Sequence, residues 1–355
     1  MSGFVIAELD VPATLDDPAA GEFVAAIDVG NVVAIDEFGT PDIVYEPDEE
    51  LPQFGNPFQP KRLLVARAEG RIVAQATTET QTGEEADTSW VQVLVHPEFR
   101  GRGIGRALAD RVEEAVLADG RRKAIAYVAG RAMGGARLNS PTGYGSIAGD
   151  ARSTRFMQAR GYTFEQVERL SRLQLPVAGL DALVTAAEEA SGPDYRVHTW
   201  IDRSSDRWLE DRAVLATRMS TDAPSAGLEE PEDVWTVERV RDADDRRESN
   251  PRRHLVAAAE HMASGRLVAY SALSVPRQPH RAVQQYATLV LREHRGHRLG
   301  MLVKVANLAH LAAISPGHPS ILTFNAEENR HMLDVNEALG FTPIAYEGAW
   351  RKDLS

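Results

Sequence analysis

From Leu63 onward the apolar and polar positions of the chain repeat regularly enough to name elements. LLVARAEGRIVAQATTET (63–80) gives two β-branched runs around Glu69-Gly70, the pattern of a hairpin. WVQVLVHP (90–97) gives a further strand, which Pro97 ends. The period then changes. In RALADRVEEAVLADG, the residues Ala107, Leu108, Val112, Ala115 and Val116 fall at helical spacing, and Gly120 stops the helix. KAIAYV reads as a buried strand. A Gly/Ser/Pro-rich loop, RAMGGARLNSPTGYGSIAGD, follows, and then a short amphipathic helix, ARSTRFMQAR, closed by Gly161. Ahead of Pro60, apolar runs such as FVAAIDVGNVVAIDEFG lie among acids and prolines, and no element stands out.

The same succession returns. GRLVAYSALSV repeats the strand after a glycine turn, VQQYATLVL the ladder strand, HRGHRLGMLVKVANLAHLAAI the glycine-arginine turn and helix, SILTFNA the buried strand, and NRHMLDVNEALGF the short helix. Arg100 and Arg295 correspond, 195 residues apart, as do Gly161 and Gly340, 179 apart; the difference of 16 is the extra length of the 130s loop. The chain is therefore read as a domain-scale duplication: a first copy over 1–175, a linker helix over 176–194 flanked by Pro176 and Pro193, and a second copy over 195–355.

Composition narrows the chemistry. With 355 residues and 43% hydrophobic positions, two globular domains are expected. No cysteine is present, which removes disulfides, thiolate nucleophiles and cysteine-based metal sites. A net charge of −13 argues against nucleic-acid binding, which needs a broad basic surface. MSGFVIAELD has no basic leader, and no apolar run reaches the roughly 18 residues of a membrane span, so a cytoplasmic protein is expected. Either a monomer or a homodimer fits.

Against that acidic background, HPEFRGRGIGRAL (96–108) stands out. A strand that runs into a glycine-rich turn and then a helix presents unpaired backbone N–H groups at the positive end of the helix dipole, a socket for phosphate. Gly101, Gly103 and Gly105 are spaced two and two, and no Gly-Lys-Ser/Thr follows, so neither a dinucleotide fingerprint nor a Walker loop is present. His294 and His297 flank the second loop as His-x-x-His without an evident third ligand, and no metal is expected.

The whole order, with VQVLVHPEFRGRGIGRAL at its centre, resembles the GNAT superfamily of acyl-CoA-dependent N-acetyltransferases, in its tandem-domain form. Its cofactor signature, Gln/Arg-x-x-Gly-x-Gly/Ala, is met in full by Arg100, Gly103 and Gly105; in the second copy Arg295 and Gly300 match, while Arg298 stands where the central glycine belongs. Asn329 with Met332, Val335, Gly340 and Phe341 is similar to the segment that lines the pantetheine arm. The resemblance implies an α/β (α+β) fold: two GNAT-like domains, each a mixed, mostly antiparallel twisted sheet flanked by helices, with a V-shaped splay at the cofactor site. It implies acetyl-CoA as co-substrate, held by Leu94, Val95, Arg100, Gly101, Arg102, Gly103, Ile104, Gly105 and Arg106 in the first copy. In the second, Val290, Arg295, Gly296, His297, Arg298, Leu299, Gly300 and Asn329 take that place.

The implied reaction is direct attack of a small-molecule amine on the thioester. An amine of pKa about 10 must first lose a proton. The family's acid tyrosine is replaced by Met157 and Asn336, and the position of its base by Ser89 and Gln284. The face that runs back from the strand end carries Val93, Val91 and Ser89 in the first copy but Thr288, Tyr286 and Gln284 in the second. The expectation is a division of labour: better cofactor binding in the first copy, and chemistry in the second through Tyr286, Gln284 and Asn336, or through a carboxylate such as Asp222. The rival readings are a non-catalytic acyl-CoA-binding protein, for which the missing acid and base speak, and an O-acyltransferase.

Overall fold

The Leu63 hairpin forms as the pattern requires, with β2 (Lys61–Ala68) and β3 (Arg71–Thr80) joined at Glu69 and Gly70, both left-handed at φ +53° and +77°. Two central residues of positive φ match the twist of an antiparallel pair. β1 (Phe4–Glu8) adds to β2, and β4 (Thr88–Val95) adds to β3. β5 (Lys123–Ala129) then lies parallel to β4. The computed structural model describes residues 3–83, 86–130 and 135–355.

The chain divides into two compact units: residues 1–168, 225–230 and 345–355, and residues 169–224 with 231–344. In the first, α1 (Ala20–Phe38) covers one face of the sheet, where Phe23, Ala26 and Ile27 meet Leu63 and Val65. A four-residue helical turn, α2 (Pro47–Glu50), follows it. On the other face α3 (Ile104–Ala118) packs Ile104, Leu108, Val112 and Val116 against Ala74, Ala76 and Ala124. The buried positions of α1 recur every three to four residues, as a helix with one face on a sheet requires, although Val32 and Ile35 stay exposed on its other side. Its interleaved acids hide that period from a reading by runs.

The loop after β5 departs from expectation. Its residues 131–134 lie outside the described residues, but 135–150 form a hairpin, β6 (Arg137–Asn139) with β7 (Ser146–Ala148), and Leu138 and Ile147 pack into the core. α4 (Arg152–Ala159) and β8 (Thr163–Gln174) follow.

The second unit repeats the plan. α5 (Leu180–Ser191) is not a free linker: Leu183, Val184 and Ala187 join that unit's core beside α8 (Leu299–Ile314). Its strands are β9 (Tyr195–Ile201), β10 (Arg253–His261), β11 (Arg266–Val275) and β12 (Val283–Val290), all antiparallel, with β13 (Ser320–Ala326) parallel to β12. α6 (Leu209–Asp222) and α7 (Val237–Ser249) cover the face opposite α8, and α9 (Arg330–Leu339) precedes β14 (Thr342–Asp353).

The compact units do not follow the contiguous ranges expected. β14 pairs Glu347–Asp353 antiparallel with Ala129–Lys123 of β5, and its Trp350, 1% exposed, sits in the first unit's core. The last strand of the chain is therefore part of the first unit. Conversely Leu173, in the last part of β8, packs in the core of the second.

Candidate active site

Both units open their sheet at the same place. β4 stays paired with β3 as far as Val95 opposite Ala74, but with β5 only as far as Trp90 opposite Ile125. β12 and β13 pair only at Val283 and Gln284. The V-shaped splay expected from the sequence is present twice. In the first unit it becomes a cleft of about 810 Å³, walled by Val91–Val95, the glycine loop, α4 and the β5 residues Ala126–Ala129.

The loop is built for close approach. Gly101 and Gly103 hold φ of +81° and +83°, and Gly103 caps α3 without any side chain. The first N–H groups of α3 therefore have no side-chain cap, and they belong to a turn that lines the cleft, a place where an anion is favoured. Leu94, Val95, Gly101, Gly103, Gly105 and Arg106 line the cleft as expected. Ile104 does not: it is 2% exposed and belongs to the core. Arg102 also turns away, paired with Glu69 at 3.0 Å and stacked over Phe99 at 4.5 Å.

Arg100 lines the cleft, yet its guanidinium is engaged. Nε donates to the Val95 carbonyl at 3.0 Å, Nη1 to Asp36 at 2.6 Å and Nη2 to Glu37 at 3.4 Å. Arg295 repeats this, donating to the Val290 carbonyl at 3.3 Å and to Asp222 at 2.7 Å. The signature arginine is thus a brace between strand end and helix end, rather than part of a free cationic island. Asp222, a candidate base by sequence, is the partner of that brace.

The cleft lining also holds carboxylates that no local pattern announced. Glu37 ends α1, and burial raises its pKa to about 7 against the pull of Arg100. Glu347 comes from β14, and burial together with Glu168 and Glu37 raises it to about 8. Among the described residues the Glu347 carboxyl has no hydrogen bond or ion pair. Tyr127 also lines the cleft and donates to Glu230 at 2.8 Å; burial and that carboxylate push its phenol up. Met157 lines the opposite wall with Tyr162, whose hydroxyl bonds Glu113.

The second unit places its candidates elsewhere. Tyr286 is 68% exposed and meets the His254 ring edge-to-face at 5.8 Å. Gln284 is buried where β12 still pairs with β13. Asn336 is fully buried and donates to Asn325 at 2.7 Å. None of the three lines the described cleft. Asn329 caps α9, accepting from the Met332 N–H, and Leu299 is 1% exposed. Gly296 keeps positive φ, but Arg298 takes the left-handed turn with a side chain attached, at φ +58°. A Cβ on Gly300 would touch both Val290 and Val335 at 3.9 Å, so strand, loop and α9 are closely packed there. His294 and His297 pack around Tyr195, whose hydroxyl lies 3.1 Å from His294 Nδ1, and no group of side chains among the described residues has the makings of a metal site.

Residues 17–133 match the acetyltransferase (GNAT) family. Over 274 residues the chain is 27% identical to a mycothiol acetyltransferase of Thermobispora bispora, covering 76% of this chain and 78% of that protein. Among solved structures it resembles a tandem GNAT protein from the clavulanic acid biosynthesis pathway, at 25% identity and a TM-score of 0.75, over 99% and 98% of the two chains. A GCN5-related N-acetyltransferase from Sphaerobacter thermophilus shares the fold at 16% identity and a TM-score of 0.59, over 99% and 95%.

Proposed function

We propose that this chain, an N-acyltransferase of the GNAT type, transfers an acetyl group from acetyl-CoA to a small-molecule amine in the cleft of its first unit. Glu347 takes the ammonium proton. The observation that carries this reading is that Glu347 and the glycine loop line one and the same cleft.

The residues present suit acetyl-CoA. The uncapped start of α3 and the backbone at Gly101 and Gly103 would take the pyrophosphate, with Arg106 beside them, and the splayed end of β4 would take the pantetheine arm. When bound, the thioester supplies the acyl group. A carboxylate with a pKa of about 8 is the stronger base for being raised, and at neutral pH it is close enough to its midpoint to accept a proton. Attack by the neutral amine forms the N–C bond as the C–S bond breaks. Of the two protons the ammonium sheds, the first goes to Glu347 and the second ends on the CoA thiol.

Because the chain has no cysteine, released CoA is read directly with a thiol-reactive dye. Glu347→Gln is expected to lower turnover about 10²- to 10⁴-fold, with acetyl-CoA affinity by calorimetry kept within about twofold. Wild-type turnover should rise with pH and level off above about 8, a limb the variant lacks. Full activity in Glu347→Gln would overturn the assignment. Binding of acetyl-CoA without thiol release over a broad amine panel would leave a binding protein.

A further inference from the structure

In the second unit, α6 carries an arginine into the interior. Arg212 is 6% exposed, and its guanidinium makes no hydrogen bond or ion pair among the described residues; Nε and Nη1 are sealed from solvent without a partner. It packs against the rings of Tyr270 on β11 and Trp200 on β9, with Cζ 4.6 Å and 5.8 Å from their centroids. Trp200 brings a second buried donor, an indole N–H that also lacks an acceptor. A guanidinium cannot shed its proton to escape burial, as a lysine can. The two rings return part of its lost hydration through their faces, but they leave its N–H donors without an oxygen.

The carboxylates around it are taken. Asp244 is fully buried, accepts from the Ser204 N–H at 2.9 Å and from Arg247 at 3.0 Å, and lies 3.6 Å from Arg241. Asp242 pairs with Arg246, and Asp202 accepts from the His254 N–H at 2.6 Å. Burial lowers the Arg212 pKa, and the push of Arg247 works against the pull of Asp244. His254 adds no negative charge. Burial, then Arg247, Arg252 and Arg212, lower its pKa to about 3, so its ring is neutral and sits in a positive field. A buried charge without a counter-charge is costly. This cluster reaches the surface at Tyr286, whose 68% exposed ring meets His254 at 5.8 Å and whose phenol acts electrostatically on both Arg246 and Tyr270.

We propose that the second unit binds a small oxyanion, a carboxylate or phosphate group, on Arg212, with the Trp200 indole N–H as a further donor and Tyr286 at the entrance. The oxygens of such a group fit a guanidinium fork, and a charge-assisted pair is what the buried arginine lacks. The site is independent of the acetyl-transfer reading, which concerns the cleft of the first unit.

The probes are inorganic phosphate and acetate, added to the full chain and compared with sodium chloride at equal ionic strength, with the thermal midpoint as readout. At least one oxyanion should raise the wild-type midpoint saturably beyond the chloride control, and the probe with the larger effect identifies the headgroup. The glycine loop of the first unit also attracts phosphate, so the quantity that counts is the part of the shift that Arg212 carries. Arg212→Met keeps an unbranched side chain against both rings and removes the charge. Apparent affinity should fall in it by about tenfold or more, the effect of losing a hydrogen bond to a charged group. Trp200→Phe keeps a ring and removes the indole N–H; it should weaken the same oxyanion severalfold, and it serves as the test where Arg212→Met fails to fold. A midpoint that follows the chloride control for both probes would overturn the proposal. So would a saturable shift that both variants leave unchanged, which would put the anion elsewhere, as at the first unit's loop.

Discussion

At the residue scale, the two loops make the same turn with different side chains, and the difference has a measurable cost. Gly103 and Arg298 occupy the same turn, at φ +83° and +58°. For an L-residue with a Cβ the left-handed region costs roughly 1–2 kcal/mol, and glycine escapes that cost. Arg298 is exposed, and while its carbonyl accepts from the Met301 and Leu302 N–H groups, as an N-cap of any residue type would, its side chain makes no hydrogen bond or ion pair among the described residues that would offset the strain. Arg298→Gly is therefore expected to stabilise the protein by about 1 kcal/mol, less the entropy glycine adds to the unfolded chain; a urea titration reads this as a higher midpoint at unchanged slope. The sequence made the loop legible because glycine spacing is local. It did not reveal what Arg100 does, since its carboxylate partners come from the end of α1, some sixty residues earlier. Glu37 and Glu347 were invisible for the same reason. They lie 310 positions apart, on α1 and β14, and only the tertiary fold brings both to the lining of one cleft.

At the element scale, α3 and α8 begin alike, with Gly105 and Gly300 at the same place, and differ at the cleft-lining positions that follow. Met301 stands where α3 has Arg106, and Lys304 where it has Ala109, two residues that line the first cleft. Lys304 is 2% exposed, hydrogen-bonded to Gln285 Oε1 at 3.2 Å, and burial lowers its pKa to about 7. Its side chain takes up interior space that a small residue leaves open in the first unit. With Arg298 in place of glycine as well, the N-terminus of α8 is a poor socket for pyrophosphate. One acetyl-CoA per chain is thus expected by calorimetry, and Gly103→Glu, which sets a carboxylate at the α3 socket, should remove that single event. A stoichiometry of two, or binding that survives the substitution, would show that α8 serves as well. The elements themselves were largely readable, because β2 to β5 and their repeats have clean periods. α1 was not, since its acids break the apolar runs, and the hairpin Arg137–Ala148 was hidden by its glycines and prolines.

At the scale of the whole molecule, the chain's last strand supplies the core residue Trp350 and the cleft-lining carboxyl of Glu347 to its first unit, so in the proposed mechanism burial and function meet in Glu347. That meeting fixes how stability depends on pH. Glu347 and Glu37 have pKa values of about 8 and about 7 in the folded protein, against 4.5 for an ordinary glutamate. A raised carboxyl is protonated in the folded state over a range where the unfolded chain has already lost the proton. Folding then takes up protons, and the slope of stability with pH is negative. Their contribution is complete below about pH 4.5 and lost as pH rises through about 7 and then about 8. Carboxylates held low by arginine partners, such as Glu8 and Glu337, act in the opposite sense, and below that window. Glu347→Gln should therefore match wild type in thermal midpoint near pH 5 and become the more stable protein as pH climbs to 9. A gap that stays constant from pH 5 to 9 would mean that Glu347 titrates as an ordinary surface glutamate and that the wall of the cleft is wet.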